Sequence, residues 1–359
     1  MTDQAATPEQ PEQKPGVIER LKQLVTPAPA APAEKPANSE PAAEKPAEDF
    51  ARSAQAQVFK RVHIIVNPAS GQTGLNLPGL NKVLKDLDID WEMFVTRRGG
   101  EAGERTKQAI AAGVDAVVVY GGDGSVLEVA SHLAGSTIPM IIMPGGTANV
   151  LSVELGIPSD QTQAALLLGG SPNAVRTLDM ATLAGAGENG DLLFFHLGMG
   201  IEGTMHEQAD RGAKDRDGMM AYVVGALRTL SNPSTAHYHM TLDGQEVEAD
   251  GINCMVTNFG SVGVPGITLS HAIDVSDGLL DVIVIQDANI STLLSAAANA
   301  VASGELAQPL LQWQAREVAI VCDPPQPIVV DGELVKVEKV IAKIVPQAVR
   351  VVVPAQTMP

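Results

Sequence analysis

The sequence predicts an α/β-plus-β protein, with an N-terminal parallel α/β domain followed by a mostly antiparallel β-sandwich domain. From about Val58 onward, short apolar runs alternate four times with amphipathic helical segments, which is typical of a parallel sheet with right-handed crossovers. Near Ala174 the pattern changes to short β-rich segments separated by turn residues. We therefore expect an α/β domain over residues 58–173 and a β-rich domain over residues 174–359, whose last strand can pack back toward the first domain.

Each predicted element of the first domain depends on its apolar period. Continuous apolar runs indicate buried strands, and apolar residues three or four positions apart indicate helices. The last helix should stop at Gly156, because Pro158 follows just beyond it. We expect strands over residues 62–66, 91–96, 116–120 and 140–143, and helices over residues 80–87, 102–112, 125–133 and 148–155.

The second domain is predicted from short apolar runs bounded by glycine, proline and polar residues. Two helical stretches interrupt it, over residues 222–230 and 290–301. The strands expected here cover residues 176–183, 192–197, 237–242, 252–258, 280–285, 318–321, 328–330 and 349–353. A cleft between the two domains is the natural place for a binding site.

The composition limits the function classes. The 359 residues are 45% hydrophobic, which is enough for a large core divided between two domains. A net charge of −18 argues against a nucleic-acid partner and against broad electrostatic adhesion to anionic lipid. Neither Cys254 nor Cys322 has metal-ligand spacing around it, so we interpret both as small buried side chains. The histidines show no zinc spacing, and strand alternation is favoured over a ligand pair as the explanation of His237 and His239.

The first 57 residues have the composition of a linker. They are rich in Ala, Pro, Glu and Gln, which predicts a disordered or polyproline II tail. Residues 17–25 could form a short amphipathic helix on a partner or bilayer, although a transient helix in a disordered tail is favoured. We expect no signal peptide, no transmembrane segment and a cytoplasmic location, because no apolar run approaches about 18 residues.

Three glycine-bearing loops follow three of the predicted parallel strands, so they should meet at one edge of the sheet. Glycines there leave backbone N–H groups open, and a helix N-terminus at that edge favours phosphate. We predict a site for the phosphates of a nucleotide. It is not a Walker A loop, because no Lys-Ser/Thr pair follows Gly71. The loops are Asn67-Pro68-Ala69-Ser70-Gly71, Gly121-Gly122-Asp123-Gly124-Ser125 and Pro144-Gly145-Gly146-Thr147-Ala148-Asn149.

Asp123 has two interpretations that the sequence leaves open. Ser125 with Glu128 has the pattern of a capping box, so Asp123 could merely belong to that helix start. Alternatively, the three flanking glycines let a ligand approach the carboxylate closely. In the second domain, Asp277-Gly278 and Asp331-Gly332 are by themselves ordinary turn sequences.

One further glycine pattern, Gly198-Met199-Gly200-Ile201-Glu202-Gly203, matches G-x-G-x-x-G. A dinucleotide site also needs a βαβ unit and an acidic residue about 20 positions further on. A polar segment follows here instead, so we do not predict a dinucleotide site.

The loops, in their order and spacing, resemble the diacylglycerol kinase catalytic-domain family of soluble lipid kinases, which includes bacterial diacylglycerol kinases and the sphingosine and ceramide kinases. Its Asn-Pro-x-Ser-Gly, Gly-Gly-Asp-Gly-Thr and Gly-Thr-x-Asn motifs match the three loops, with Ser125 in place of threonine. Its Asp-Gly-x-Leu-Asp-Val and Asp-Gly-Glu motifs match residues 277–282 and 331–333. The resemblance covers residues 58–354 and implies a Rossmann-like first domain of the NAD-kinase and diacylglycerol-kinase type.

This resemblance implies an ATP- and Mg²⁺-dependent phosphotransferase that acts on a lipid hydroxyl, such as that of diacylglycerol or a sphingoid base. Asp123 would sit by the phosphates and the catalytic magnesium, and Asp331 or Glu333 would take the hydroxyl proton. Asp277, with backbone carbonyls around Asp274 and Leu279, would hold a structural magnesium. The residues implied to bind ATP are Asn67, Pro68, Ser70, Gly71, Thr96, Gly121, Gly122, Asp123, Gly124, Ser125, Gly146, Thr147 and Asn149.

Several residues depart from the family pattern. In the first domain, a basic residue, an Asn and an Asp of many family members are replaced by Gln72, Leu127 and Val150. In the second domain, an Asn and an Asp are replaced by His196 and Glu202. Two other functions therefore stay open: a kinase with a soluble acceptor, such as an NAD kinase or phosphofructokinase, and a non-catalytic nucleotide- or lipid-binding regulator. The expected partner is a lipid at the cytoplasmic membrane surface, reached by transient contact, and a homodimer is the candidate assembly.

Overall fold

A computed structural model of the chain describes residues 57–70, 74–187, 190–204, 234–261, 270, 273–286 and 310–355. Residues 1–56 of the predicted tail, with the segment 17–25, lie outside these ranges, and so do Gly71 and the predicted helices 222–230 and 290–301.

The N-terminal part is a parallel sheet with the strand order β2-β1-β3-β4. Every residue of β3 and β4 is buried, which explains why these strands appear in the sequence as continuous apolar runs. The strands are β1 (Arg61–Val66), β2 (Asp90–Val95), β3 (Ala116–Gly121) and β4 (Met140–Pro144), and the helices are α1 (Leu77–Asp86), α2 (Glu101–Ala112), α3 (Asp123–Leu133), α4 (Val150–Glu154) and α5 (Gln161–Ala165). The predicted α/β class is confirmed.

The sheet continues from β4 into the C-terminal half of the chain. The long strand β16 (Val340–Pro354) runs parallel to β4, with Val351 opposite Met140. It also pairs antiparallel with β5 (Asn173–Gly187) and β13 (Glu317–Asp323), and β8 (Ala236–Leu242) and β9 (Gln245–Gly251) complete the far edge. Strand β16 therefore lies directly beside β4 of the first domain.

A second, antiparallel sheet has the strand order β12-β11-β10-β7-β14-β15. Large apolar side chains from both sheets, including Phe194, Tyr238 and Leu280, form a buried cluster. Full burial of each such side chain contributes about 1.5–3 kcal/mol. The predicted β-sandwich is confirmed. The remaining strands are β6 (Gly190–Phe194), β7 (His196–Gly200), β10 (Asn253–Thr257), β11 (Leu280–Ile285), β12 (Leu310–Ala315), β14 (Ile328–Val330) and β15 (Glu333–Val335).

The structure differs from the sequence prediction in the second half of the chain. The strand predicted over residues 192–197 is divided at Phe195, because β6 belongs to the long sheet and β7 to the antiparallel one. Strands β9, β12 and β15 were not predicted. In β9 only Val247 and Ala249 carry apolar side chains, since this strand forms an edge with one solvated face.

No helix within the described ranges combines the length and the apolar character that a bilayer span requires.

Candidate functional site

The first and second glycine-bearing loops are joined by side-chain hydrogen bonds at the carboxyl ends of β1 and β3. Asn67 Nδ2 donates to Ser125 Oγ over 2.9 Å. The backbone N–H of Gly122 donates to Ser70 Oγ over 3.1 Å. The structure thus brings together predicted residues from two loops that are separated by about fifty positions in the sequence.

The second and third loops are packed glycine against glycine. An ideal Cβ built on Gly146 would lie 2.6 Å from the Cα of Gly122, which no side chain can tolerate. Asn149, with a left-handed φ of 48°, closes the third loop by bonding twice to Gly146: its Oδ1 accepts from the N–H over 2.9 Å and its Nδ2 donates to the carbonyl over 2.7 Å. The absence of a side chain at Gly146 is therefore a packing requirement.

Asp123 connects the second loop to the start of α4. Its Oδ1 accepts the backbone N–H of Val150 over 2.7 Å. The N-cap of α3 is Gly122, and within the described residues that cap has no side-chain hydrogen bond. Glu128, which has capping-box spacing with Ser125, instead accepts the backbone N–H of Gly103. Burial raises the pKa of Asp123, and backbone N–H groups at the start of α4 oppose that rise.

A pocket of about 440 Å³ adjoins the first loop and the end of β2. This volume is within the range of about 300–1,000 Å³ that is typical of small-molecule sites. Thr96 contributes one wall and donates from its hydroxyl to the carbonyl of Val66 over 3.3 Å. Arg98, also in the lining, forms an exposed ion pair with Glu104 over 2.9 Å. Four predicted nucleotide-binding residues line the pocket: Asn67, Pro68, Thr96 and Ser125.

Asp331 occupies the two-residue turn between β14 and β15. Its φ is +45° and that of Gly332 is +86°, as a tight hairpin of this kind requires. Both carboxylate oxygens accept backbone N–H groups, Oδ2 from Phe195 and Oδ1 from His196, each over 3.0 Å. The turn is therefore structural, and it also fixes the orientation of a carboxylate.

The charge on Asp331 is coupled to the first domain. Burial raises the pKa of Asp331 to about 7, and the carboxylate of Asp123 adds to this rise, while backbone N–H groups and His196 oppose it. The contribution of Asp123 is the smallest of these effects, and it comes from the opposite half of the chain. Glu333, the other predicted base, lies at the start of β15 with an exposed side chain.

His196 and Glu202 form a pair beside Asp331 that the predicted site did not include. Their Nε2 and Oε1 atoms are 2.8 Å apart. Burial opposes protonation of His196, but the carboxylates of Glu202 and Asp331 outweigh it and raise the pKa of His196 above its ordinary value. Gly198 makes room for the pair, because any Cβ there would overlap the Glu202 carboxylate. The sequence signal was the departure of both residues from the family pattern.

The G-x-G-x-x-G pattern begins on strand β7, which also carries His196. Gly198 and Gly200 lie in β7, which pairs antiparallel with β10 and β14, whereas the strands of a βαβ unit run parallel.

The predicted structural magnesium site lies on the segment before β11. Asp277 Oδ1 accepts the N–H of Leu279 over 2.9 Å, and Gln314 Nε2 donates to its Oδ2 over 3.3 Å. Burial raises the pKa of Asp277. Oδ1 of Asp274 accepts from Arg176 over 2.7 Å and from the N–H of Ser276 over 3.0 Å, so this oxygen is engaged within the protein. Carboxylate and carbonyl oxygens are the donors that Mg²⁺ prefers, and this donor set fits the ion.

Two buried aspartates close to this segment were missed as site residues. Asp179 accepts the N–H of Gly278 and that of Gln347, each over 2.6 Å, and so supports the turn that carries Asp277. Burial raises the pKa of Asp281 to about 6. One of its carboxylate oxygens has no partner among the described atoms. Both residues add carboxylate oxygens, the kind of donor that Mg²⁺ prefers, to the region around Asp277.

Comparison with known proteins agrees with this geometry. Residues 61–182 match the model of the diacylglycerol kinase catalytic domain, and residues 196–353 match that of the YegS C-terminal NAD kinase beta sandwich-like domain. A diacylglycerol kinase of Mycobacterium tuberculosis is 30% identical over 241 residues, which cover 65% of this chain and 76% of that protein. An uncharacterized Synechocystis protein is 28% identical over 317 residues, covering 83% and 71%.

A solved structure shares the fold. It is that of a Bacillus anthracis protein assigned as a diacylglycerol kinase, with a TM-score of 0.66 and 25% identity, covering 84% of this chain and 98% of that one. The α/β sheet followed by an antiparallel sandwich is the fold of the kinase class with an NAD-kinase-like sandwich. Within that class, this chain belongs to the diacylglycerol kinase catalytic-domain family of lipid kinases.

Proposed function

We propose that this protein is an ATP- and Mg²⁺-dependent kinase that phosphorylates the hydroxyl of a membrane lipid, such as diacylglycerol or a sphingoid base. The observation that carries the proposal is the Asp331 carboxylate, which two backbone N–H groups hold in one orientation. The small effect of Asp123 on the pKa of Asp331 supports placing a lipid hydroxyl at Asp331 beside the loops proposed to bind phosphate. A membrane lipid would be reached by transient contact with the cytoplasmic leaflet.

The nucleotide is proposed to lie along the three loops, with its base and ribose in the 440 Å³ pocket. The close contact of Gly122 with Gly146 leaves main-chain atoms without side chains where phosphates would approach. The contacts that support this proposal are those of Asn67 with Ser125 and of Ser70 with Gly122, because they hold the loops in one arrangement. Gly121, Gly124 and Thr147 belong to the same proposed site, and so does Gly71, outside the described residues.

In the proposed reaction, the lipid hydroxyl oxygen forms a bond to the γ-phosphorus, the bond from that phosphorus to the β,γ-bridging oxygen breaks, and ADP leaves. The hydroxyl proton passes to Asp331. A pKa of about 7 suits a base that works near neutral pH. Magnesium, when bound, would neutralise phosphate charge, and Asp123 is the residue proposed to lie beside it. Asp277, with the Asp274 and Leu279 carbonyls, is proposed to hold the structural ion.

The test is transfer of label from γ-labelled ATP into solvent-extractable product, with Mg²⁺ and a panel of lipids in mixed micelles. We expect label in one lipid class, and loss of that label in Asp123→Asn and Asp331→Asn. Glu333→Gln separates the two candidate bases, because it should retain activity if Asp331 takes the proton. Label in a water-soluble acceptor would identify a kinase of the NAD-kinase kind. ATP binding without transfer to any acceptor would identify a regulator.

The pH dependence of transfer should be set by Asp331. Activity is expected to rise with pH around a midpoint near 7, since only the ionised carboxylate accepts a proton. The His196 cation lowers the pKa of Asp331, so His196→Gln should move the midpoint to higher pH. Rate profiles over a series of buffers would measure this, and an unchanged midpoint in His196→Gln would contradict it.

A further inference from the structure

A cluster of histidines and carboxylates lies on the β8–β9 hairpin at the edge of the long sheet. His237 and His239 point to one face of β8, and Glu248 and Asp250 to the same face of β9, because the register pairs His237 with Asp250 and His239 with Glu248. One ligand atom from each of His237, His239 and Glu248 lies within 4.8 Å of the other two. Among the described residues, this is the one group of His, Cys, Asp or Glu side chains close enough to share a metal ion.

The separations match those of ligands that share one metal ion. His237 Nε2 is 3.7 Å from Glu248 Oε2, and His239 Nδ1 is 3.2 Å from Glu248 Oε1. Two ligands bonded tetrahedrally to Zn²⁺ at 2.0–2.2 Å lie about 3.4 Å apart, so the observed distances fall on either side of that value. Small side-chain rotations would bring all three groups onto one ion.

Asp250 orients one of the histidines. Its Oδ1 is 2.7 Å from Nδ1 of His237, which directs the other ring nitrogen, Nε2, toward Glu248. A carboxylate that holds the far nitrogen of a ligating histidine is a recurrent arrangement around bound zinc. The ring of His239 lies edge-on to that of His237, with centroids 4.5 Å apart.

Simple ion pairing explains the arrangement less well. Ion pairing accounts for one acid on each histidine, Asp250 on His237 and Glu248 on His239, but not for the second approach of Glu248 to His237. Exposed pairs contribute only about 0–1 kcal/mol. Here Glu248 lies within 4 Å of both histidines, although His237 already has Asp250 as a partner. The Glu248 side chain is 59% exposed, so solvent can supply the remaining ligand of a tetrahedral ion.

We propose that His237, His239 and Glu248 bind a divalent late transition metal ion, Zn²⁺ above all, with Asp250 as the positioning residue. Two imidazoles and one carboxylate favour this class over Mg²⁺ and Ca²⁺, which prefer oxygen ligands. The ion would cross-link the edge strand β9 to β8. The site is separate from the loops and from Asp331, so it does not depend on the proposed function.

The experiment uses full-length protein without an affinity tag, stripped of metal, and titrated with zinc chloride in a calorimeter. We expect one equivalent of Zn²⁺ per chain and a raised Tm in its presence. His239→Gln and Glu248→Gln should each weaken binding by more than about tenfold, and Asp250→Asn by about 10–100-fold. Glu246→Gln is the matched control, because it removes the same charge from the same face of β9 and should leave the affinity unchanged.

Two further measurements complete the test. The metal-free Tm of each variant should equal that of the metal-free parent, which separates loss of a ligand from loss of the fold. The Co²⁺ form should have a visible spectrum without a thiolate charge-transfer band, since Cys254 and Cys322 take no part. The proposal would be overturned by the absence of a bound equivalent, by affinity that survives in both His239→Gln and Glu248→Gln, or by a thiolate band.

Discussion

Replacing Asp331 with Asn is expected to lower the rate of phosphoryl transfer by about 10²–10⁴-fold while the fold is retained, because this is the range contributed by a general base. The variant cannot accept the hydroxyl proton. It should fold, since asparagine tolerates the positive φ of +45° at this turn. One of the two hydrogen bonds from Phe195 and His196 would be lost, at a cost of about 1 kcal/mol.

The chain contains a close structural match to this turn, which serves as the control. Asp243 lies in the Asp-Gly turn between β8 and β9, with a φ of +48°, and Gly244 follows with +84°. Its carboxylate also accepts two backbone N–H groups, from Arg316 over 2.9 Å and from Glu317 over 2.8 Å. Asp243→Asn therefore makes the same local change at a turn outside the proposed site.

The two variants should lose similar amounts of Tm but differ greatly in activity. Label transfer and thermal melts measured on both proteins at one pH would show this. If Asp331→Asn stayed within tenfold of the parent, or if Asp243→Asn lost activity to the same degree, Asp331 would not be the base. A large loss in Asp331→Asn alone would separate its chemical role from its role in the turn.

The fold of the first domain could be predicted almost completely because its buried strands appear in the sequence as continuous apolar runs. β3 and β4 are covered on both faces, so every residue is apolar or glycine or proline and the strand limits are clear. The strands of the second domain are harder to recognise at its edges. β9 has one solvated face and β15 is three residues long, so neither has an apolar run that stands out.

The site was predictable only where it depends on strand ends. Loops after parallel strands must meet at one edge, and Asn67 does contact Ser125 there. The coupling of Asp331 to Asp123 depends on how the two halves of the chain pack, which no local pattern encodes. The same holds for Glu248 beside His239, because strand register, and not spacing along the chain, brings that carboxylate to the histidines.

Asp123 shows what a local pattern does and does not determine. It does belong to a helix start, as the first residue of α3. The capping-box bonds expected from the spacing of Ser125 and Glu128 do not form, because Glu128 bonds to Gly103 and the Asp123 carboxylate bonds to Val150 at the start of a different helix. Tertiary contacts across the loops, which no local pattern encodes, determine these bonds.

Replacing Gly146 with Ala is expected to abolish nucleotide binding and to lower Tm. The new Cβ would lie 2.6 Å from the Cα of Gly122 and 3.0 Å from Oδ1 of Asn149. Backbone cannot move aside as a flexible side chain can, so the loops must separate, at a cost of about 1–3 kcal/mol for overpacking. Displacement of a reacting group by 1 Å can cost about 10²-fold in rate, so activity should fall by at least that factor.

Gly124→Ala is the matched comparison for Gly146→Ala. It adds the same methyl group in the second loop, at a position where there is room for it. Among the described atoms, nothing lies within 4 Å of a Cβ at Gly124, and the residue is in the first turn of α3, where alanine is favoured over glycine by about 0.5–1 kcal/mol. Its Tm should therefore equal or exceed that of the parent.

If phosphates approach this backbone, as proposed, Gly124→Ala should still weaken nucleotide binding, measured by calorimetry with a non-hydrolysable ATP analogue. Full affinity in Gly124→Ala would exclude that approach, and full affinity in Gly146→Ala would show that the loops do not need their close contact to bind the nucleotide.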